Sequence, residues 1–130
     1  MKEGMSKKEG FSKKEIGALG ERMAAEFLTR HGYKILARNF FCRVGEIDIV
    51  ARSSDGAIVF VEIKTRSGVG FGAGEEAIDW RKIRKMRRAA AIFLSQFPAA
   101  SSELRFDSVS VALNWQTRRA KVRHIEGVTA

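Results

Sequence analysis

Three charged residues, Asp48, Glu62 and Lys64, interrupt apolar runs: "GEIDIVA" from Gly45 and "IVFVEIKT" from Ile58. A charge inside a strand is costly unless it is paired, hydrated or bound to a cation. Strand alternation puts Ile47 and Ile49 on one face of the first run, with Glu46, Asp48 and Val50 on the other. In the second run Val59, Val61 and Ile63 share a face, and Ile58, Phe60, Glu62 and Lys64 share the opposite one. Ser54-Asp55-Gly56 suits a hairpin loop closed by a left-handed glycine, with Ser53 and Ala57 as the flanking pair. Counting outward from that pair brings Asp48 opposite Glu62, with Lys64 further along the same face. Adjacent carboxylates repel unless a proton or a cation lies between them. Such an oxygen-rich pair suits Mg²⁺ or Mn²⁺ with phosphate as a further ligand. Lys64 is then placed to orient or deprotonate the attacking water, or to neutralise charge building on phosphate. This is the equipment for hydrolysing a phosphodiester. The same residues are also compatible with a solvated face carrying an Asp48–Lys64 or Glu62–Lys64 ion pair.

The composition bears on the partner. The chain has 130 residues, a net charge of +9 and a sequence pI near 10.2. Residues 1–14, "MKEGMSKKEGFSKK", carry five lysines against Glu3 and Glu9, so +3 lies there and +6 on the rest. A basic balance that survives removal of this segment favours a polyanion, nucleic acid or an anionic membrane surface. Cys42 is the single cysteine, which leaves no intrachain disulfide and suits a reducing compartment. His31 and His124 have no cysteine partners, which argues against zinc. With no spanning stretch and no secretory h-region, the expected location is the cytoplasm.

The elements that must position the three charges can be read from periodicity. Residues 1–14 read as a mobile basic arm and 15–130 as one domain. A helix is expected from Glu15 to His31, with Ile16, Leu19, Met23 and Phe27 as its stripe and Gly20 widening it. "YKILARNF" reads as a strand, followed by the hairpin. A glycine-rich segment, "SGVGFGAGEE", leads to a helix from about Glu75 to Phe97, with Ile83, Met86, Ala90, Phe93, Leu94 and Phe97 facing the core. Arg81, Arg84, Lys85 and Arg88 form its opposite face, with Lys82 and Arg87 at the borders; Lys82 could point towards the carboxylates. These residues, with Arg66, are candidates for contact with a phosphate backbone, although charge runs on helices are usually just wet faces. "RFDSVSVAL" and "RAKVRHI" complete the set. Helix, three strands, helix, two strands implies an α/β fold with a five-stranded mixed sheet flanked by helices, the second helix being the crossover.

Asp, about a dozen residues, then Glu-x-Lys across a hairpin resembles the core of the PD-(D/E)xK nuclease superfamily. "ALGERMAAEFLTRHGYKILARNF", "GEIDIVA", "VFVEIKTR", "RKIRKMRRAA" and "RFDSVSV", in this order, look like the YraN-like family of uncharacterised bacterial proteins. The resemblance implies a restriction-endonuclease-like fold and similarity to archaeal Holliday-junction resolvases. It implies that Asp48 and Glu62 bind Mg²⁺ or Mn²⁺ with the Ile63 carbonyl, that Lys64 serves the nucleophilic water, and that Glu21 completes the carboxylate set. Without it, Glu21 is an exposed helix carboxylate. Ile47 stands where the superfamily name has proline. The implied activity is metal-dependent endonuclease action on DNA, with a non-catalytic nucleic-acid-binding protein as the alternative. Symmetric cutting would call for a homodimer, with Met86, Phe93 or the final strands at its interface.

Other candidates are weaker. Gly68-Val69-Gly70-Phe71-Gly72-Ala73 fits a dinucleotide fingerprint, but a densely basic helix follows and no ribose-binding acid stands at the expected distance. A flexible joint is the expected role. Cys42 reads as a small residue near a strand end, and His124 as a residue without a partner. Trp80 and Trp115 read as packing residues, with base stacking open to an exposed Trp115.

Overall fold

The protein, described here from a computed structural model, is defined over residues 11–67, 78–97 and 103–128. The glycine-rich segment, Pro98 and the proposed arm up to residue 10 lie outside the described residues. Helix α1 spans Lys13–Arg30, earlier than periodicity indicated. Ser12 caps it by accepting from the Glu15 amide, and the Glu15 carboxylate accepts from the Ser12 amide. This reciprocal capping box places Lys13 and Lys14 in the first turn of the helix, not in an arm.

Strands β1 (Lys34–Cys42), β2 (Gly45–Arg52) and β3 (Ile58–Ser67) follow, then helix α2 (Trp80–Gln96) and strands β4 (Leu104–Asn114) and β5 (Arg119–Ile125). The strands form one sheet in the order β1-β2-β3-β4-β5, antiparallel except for the parallel β3–β4 pair, with α2 in the crossover. The expected α/β architecture, a five-stranded mixed sheet flanked by helices, is the one observed. Helix α2 starts later than the expected Glu75: Asp79 is its N-cap, accepting from the Lys82 amide.

The sheet separates two cores. On one face α1 buries Leu19, Ala24, Ala25 and Leu28 against Ile49, Val59, Val61, Ile63, Val109, Val111 and Leu113. On the other, α2 buries Ile83, Met86, Ala89, Ala90 and Phe93 against Ile47, Val50, Ile58 and Phe60. Met86 and Phe93 are therefore interior residues and cannot supply a dimer interface. Phe97, expected in the stripe, is mostly exposed at the helix end, with its ring against that of Phe93. Trp80 is also exposed at the start of α2, whereas Trp115 packs on the α1 side and stacks on Phe11.

A buried polar centre braces the sheet at β4. Asp107 is 0% exposed and accepts from Arg105 Nε at 3.0 Å, Arg105 Nη2 at 2.9 Å and the Gly127 amide at 3.0 Å. His124 Nε2 lies 2.7 Å from the same carboxylate, so this histidine has the partner that its sequence position did not reveal. Burial alone would raise the Asp107 pKa, but the bonds from His124, Arg105 and Gly127 outweigh it and hold the carboxyl below its usual range.

The approach of α1 to β3 depends on one absent side chain. A Cβ at Gly20 would lie 2.8 Å from the Thr65 Cβ, closer than real Cβ contacts allow. Gly20→Ala is expected to destabilise the fold by about 1–3 kcal/mol through overpacking. Chemical denaturation will measure it, and Thr65→Ala in the same chain, which removes the Oγ1 and Cγ2 that lie still closer to the new Cβ but keeps the Thr65 Cβ, should restore part of the loss and no more.

Candidate active site

The hairpin register is the anticipated one. The Ser53 amide donates to Ala57 O at 2.9 Å, the Gly56 amide donates to Ser53 O, and Gly56 takes φ +96°. From this pair the ladder runs Arg52↔Ile58, Ala51↔Val59, Val50↔Phe60 and Ile49↔Val61, so continuation sets Asp48 opposite Glu62.

The regular ladder stops there. The Asp48 carboxylate, not a main-chain carbonyl, accepts the Ile63 amide at 2.7 Å. Asn39, across from Asp48 on β1, has φ +54°, and neither residue is a ladder partner in a pairing that otherwise joins Arg38↔Ile49 and Phe40↔Ile47. Strand alternation slips at this point. Ile47 packs with the α2 core and Ile49 with the α1 core, so the two isoleucines do not share a face as strict alternation required. Asn tolerates the left-handed region better than most residues, which locates the irregularity.

Slippage at Asp48 turns its carboxylate towards the edge of β3, beside Glu62. Both line a cleft of about 370 Å³ with Phe41, Cys42, Gly45, Glu46, Lys82, Lys85 and Met86. Glu62 is 4% exposed. Its Oε1 meets the Ser108 hydroxyl at 3.4 Å, while its Oε2 is buried with no hydrogen-bond partner. An orphaned buried carboxylate oxygen is costly and uncommon.

Burial dominates the electrostatics of both acids. Asp48 is pushed up to about 6, chiefly by desolvation, against the pull of the Ile63 amide and with further upward pressure from Glu21, Glu46 and Glu62. Glu62 is also raised by burial, opposed by the charges of Lys82 and Lys64 and by the Ser108 hydroxyl.

The sequence candidates are therefore distributed as follows. Asp48 and Glu62 meet in the cleft, and Lys82 and Lys85 form its α2 wall. Lys64 follows Glu62 on β3 and acts on its charge without lining the cleft. Glu21 acts on Asp48 from α1, also outside the lining. Ile63 contributes its amide to Asp48, and its side chain belongs to the α1 core. Arg81, Arg84 and Arg88 are exposed along α2, and Arg66 is half-buried at the end of β3. Glu46, Phe41 and Cys42 were not anticipated in the cleft. The tight turn at Arg43-Val44, which pairs Cys42 with Gly45, brings them there, and the residue types in "FFCRVGE" did not signal it. Among the described residues no group of three or more His, Cys, Asp or Glu converges as a metal-binding cluster.

The uncharacterised protein family UPF0102 matches residues 20–111. The chain belongs to this family. A UPF0102 protein of Mycolicibacterium smegmatis is 47% identical over 115 residues, covering 88% of this chain and 92% of the relative. One from Syntrophomonas wolfei is 44% identical over 112 residues, covering 86% and 95%. The YraN-like resemblance is thus a family membership. Among solved structures, an EndoMS–dsDNA2 complex matches with a TM-score of 0.42 at 21% identity, over 67% of this chain and 34% of that one. A repair endonuclease from Pyrococcus abyssi matches with a TM-score of 0.41 at 19% identity, over 80% of this chain and 38% of that one. The UPF0102 chain spans little more than a third of the length of either.

The raised Asp48 pKa sets a pH dependence. The folded chain holds this proton up to about pH 6, whereas the unfolded chain releases it near pH 4. At this group the folded state binds more protons across that window, so the Asp48 contribution to stability is greatest below it and falls as the pH rises through it. Asp48→Asn is expected to flatten this slope and to be the more stable protein at pH 7, as thermal unfolding across pH 4–7 will show.

Proposed function

We propose that this UPF0102 protein is a divalent-metal-dependent nuclease that hydrolyses DNA phosphodiester bonds, with branched or otherwise structured DNA as the candidate substrate. The observation that carries the reading is the pairing of Asp48 and Glu62 in one cleft walled by Lys82 and Lys85, with Glu62 Oε2 buried and unsatisfied. These donors fit a hard cation. Mg²⁺ is commonly held by one or two carboxylates, with water and substrate phosphate completing its shell. Asp48, Glu62 and the Ile63 carbonyl would hold Mg²⁺ or Mn²⁺, which when bound would neutralise phosphate charge and favour ionisation of water.

The chain's own residues divide the remaining work. Lys82 and Lys85 attract the phosphate to the mouth of the cleft, and the low solvent access around Glu62 strengthens that attraction. Lys64, two residues beyond Glu62 on β3 and close enough to act on its charge, is the residue to which this reading gives the proton transfer at the attacking water or the offsetting of charge on the phosphate. The amide of Ile63 fixes the Asp48 carboxylate, so the two acids keep their separation without relying on long side chains. Glu21 adds negative potential from the other side of the sheet and tunes Asp48. Arg81, Arg84 and Arg88, exposed on α2, extend the positive surface away from the cleft. A second reading, a nucleic-acid-binding protein without catalysis, is favoured by one observation: Glu46 and Cys42 also line the cleft, yet among the described residues no three His, Cys, Asp or Glu side chains converge as a metal-binding group.

Cleavage of labelled single-stranded, duplex, flap and four-way-junction DNA in Mg²⁺ or Mn²⁺ separates the two. Asp48→Asn, Glu62→Gln and Lys64→Ala are each expected to reduce cleavage by roughly a hundredfold or more, with DNA binding retained in metal-free buffer. In parallel, Mn²⁺ should raise the melting temperature of the wild type at pH 7 and leave that of Glu62→Gln unchanged. Wild-type binding with no cleavage of any substrate and no metal-dependent stabilisation would leave the non-catalytic reading standing.

A further inference from the structure

Among the described residues, helix α2 packs over β1, β2 and β3, and no helix covers the same face of β4 and β5 beyond Phe106 and Ile125, which join the α2 core. The register identifies what that face presents. Glu62, Lys64 and Arg66 of β3 stand beside Ser108, Ser110 and Ala112 of β4. Those in turn stand beside Ile125, Arg123 and Lys121 of β5, and Asn114 beside Arg119. Alternation keeps all of them on the α2 face, because their neighbours Ile63, Val109, Val111, Leu113, Val122 and Ala120 pack into the α1 core.

The result is a trough that begins at the candidate site. Its floor is β4, where Ser110, Ala112 and Asn114 are small or short and half-buried. One wall carries Lys64 and Arg66, and the other carries Arg123, Lys121 and Arg119, all three exposed. The walls are two strand spacings apart, roughly 10 Å, and successive cations on β5 are about 6.8 Å apart. That spacing is close to the separation of neighbouring phosphates along one nucleic-acid strand. No acidic residue occurs on this face between Glu62 and the end of β3, or anywhere in β5.

We infer that the β4 floor between β3 and β5 is a second nucleic-acid-binding surface. It holds the phosphodiester backbone of the strand leading into the Asp48–Glu62 cleft, and Arg119, Lys121 and Arg123 are its outer phosphate contacts. The inference rests on the proposed function for the identity of the polyanion, and adds to it a direction: the substrate crosses the sheet towards β5 as well as following α2. Cations on an edge strand also discourage edge-to-edge association, and that simpler role predicts no effect on binding.

Fluorescence anisotropy with labelled single-stranded and duplex DNA, in EDTA, tests it on the full chain. The variant is Arg119→Ala/Lys121→Ala. Its control is Arg22→Ala/Arg30→Ala, which removes the same charge from exposed positions on α1. The β5 variant is expected to bind at least tenfold more weakly at low salt and to lose about two from the slope of log K against log salt. The control should lose far less. Arg119→Lys/Lys121→Arg should bind as the wild type does. Equal losses in the β5 variant and the control would reduce the effect to net charge and overturn the proposal. So would undiminished DNA binding by the β5 variant, or a loss confined to phosphatidylserine vesicles. Glu62→Gln separates the two readings: it should bind in EDTA as the wild type does while failing to cleave in Mn²⁺. A wild type that cleaves, with a β5 variant that binds normally, sinks the trough alone. A wild type that binds no DNA sinks both.

Discussion

The hydrogen bond from the Ile63 amide to the Asp48 carboxylate is the constraint on which the candidate site depends. A main-chain carbonyl at that place would continue the β2–β3 ladder and point Asp48 out of one face of the sheet. With the carboxylate as acceptor, the strand gives up a regular pair and the acid is held edge-on beside Glu62. The bond also favours the ionised form of an acid that burial disfavours. The left-handed Asn39 on β1 and the change of face between Ile47 and Ile49 are the structural counterparts of this substitution of side chain for backbone.

Around that bond the fold divides its roles by layer. Helix α1 serves packing on one face, with Gly20 letting it close on Thr65. Helix α2 does two things at once. Ile83, Met86, Ala90 and Phe93 cover the second core, while Lys82 and Lys85, on its exposed side, lean over the acids. A basic helix face is usually only solvated, and most of this one is. What distinguishes Lys82 and Lys85 is their position above β2 and β3 where the cleft opens.

Much of this was legible in the sequence because it depends on local rules. The Ser54-Asp55-Gly56 loop has few ways to close, and closing it fixes the register that brings Asp48 to Glu62. The element order likewise leaves the parallel β3–β4 pair and its helical crossover as the natural topology. What could not be read depends on contacts distant in sequence. Strict alternation misplaced Ile47 relative to Ile49, because the slip at Asp48 arises from a bond to another strand. His124 looked solitary because its partner, Asp107, is known only once β4 and β5 are paired. The cleft residues Phe41 and Glu46 were missed for the same reason, since their proximity to Lys85 belongs to the packing of α2. Ser12 was a different kind of omission: a serine followed three residues later by glutamate is a local cap signal, and it moves the helix start into the basic segment.

The parallel pairing of β3 with β4 has a consequence for how the chain is made. β3 ends at Ser67, but its neighbour on that side begins only at Leu104, after the whole crossover. While the chain leaves the ribosome, Ile58–Ile63, buried throughout in the finished protein, presents one bare hydrogen-bonding edge until β4 emerges. An apolar strand with an open edge is a template for pairing with another chain. Synthesis to the end of β4 therefore closes this open edge, and the same step brings the Ser108 hydroxyl to Glu62.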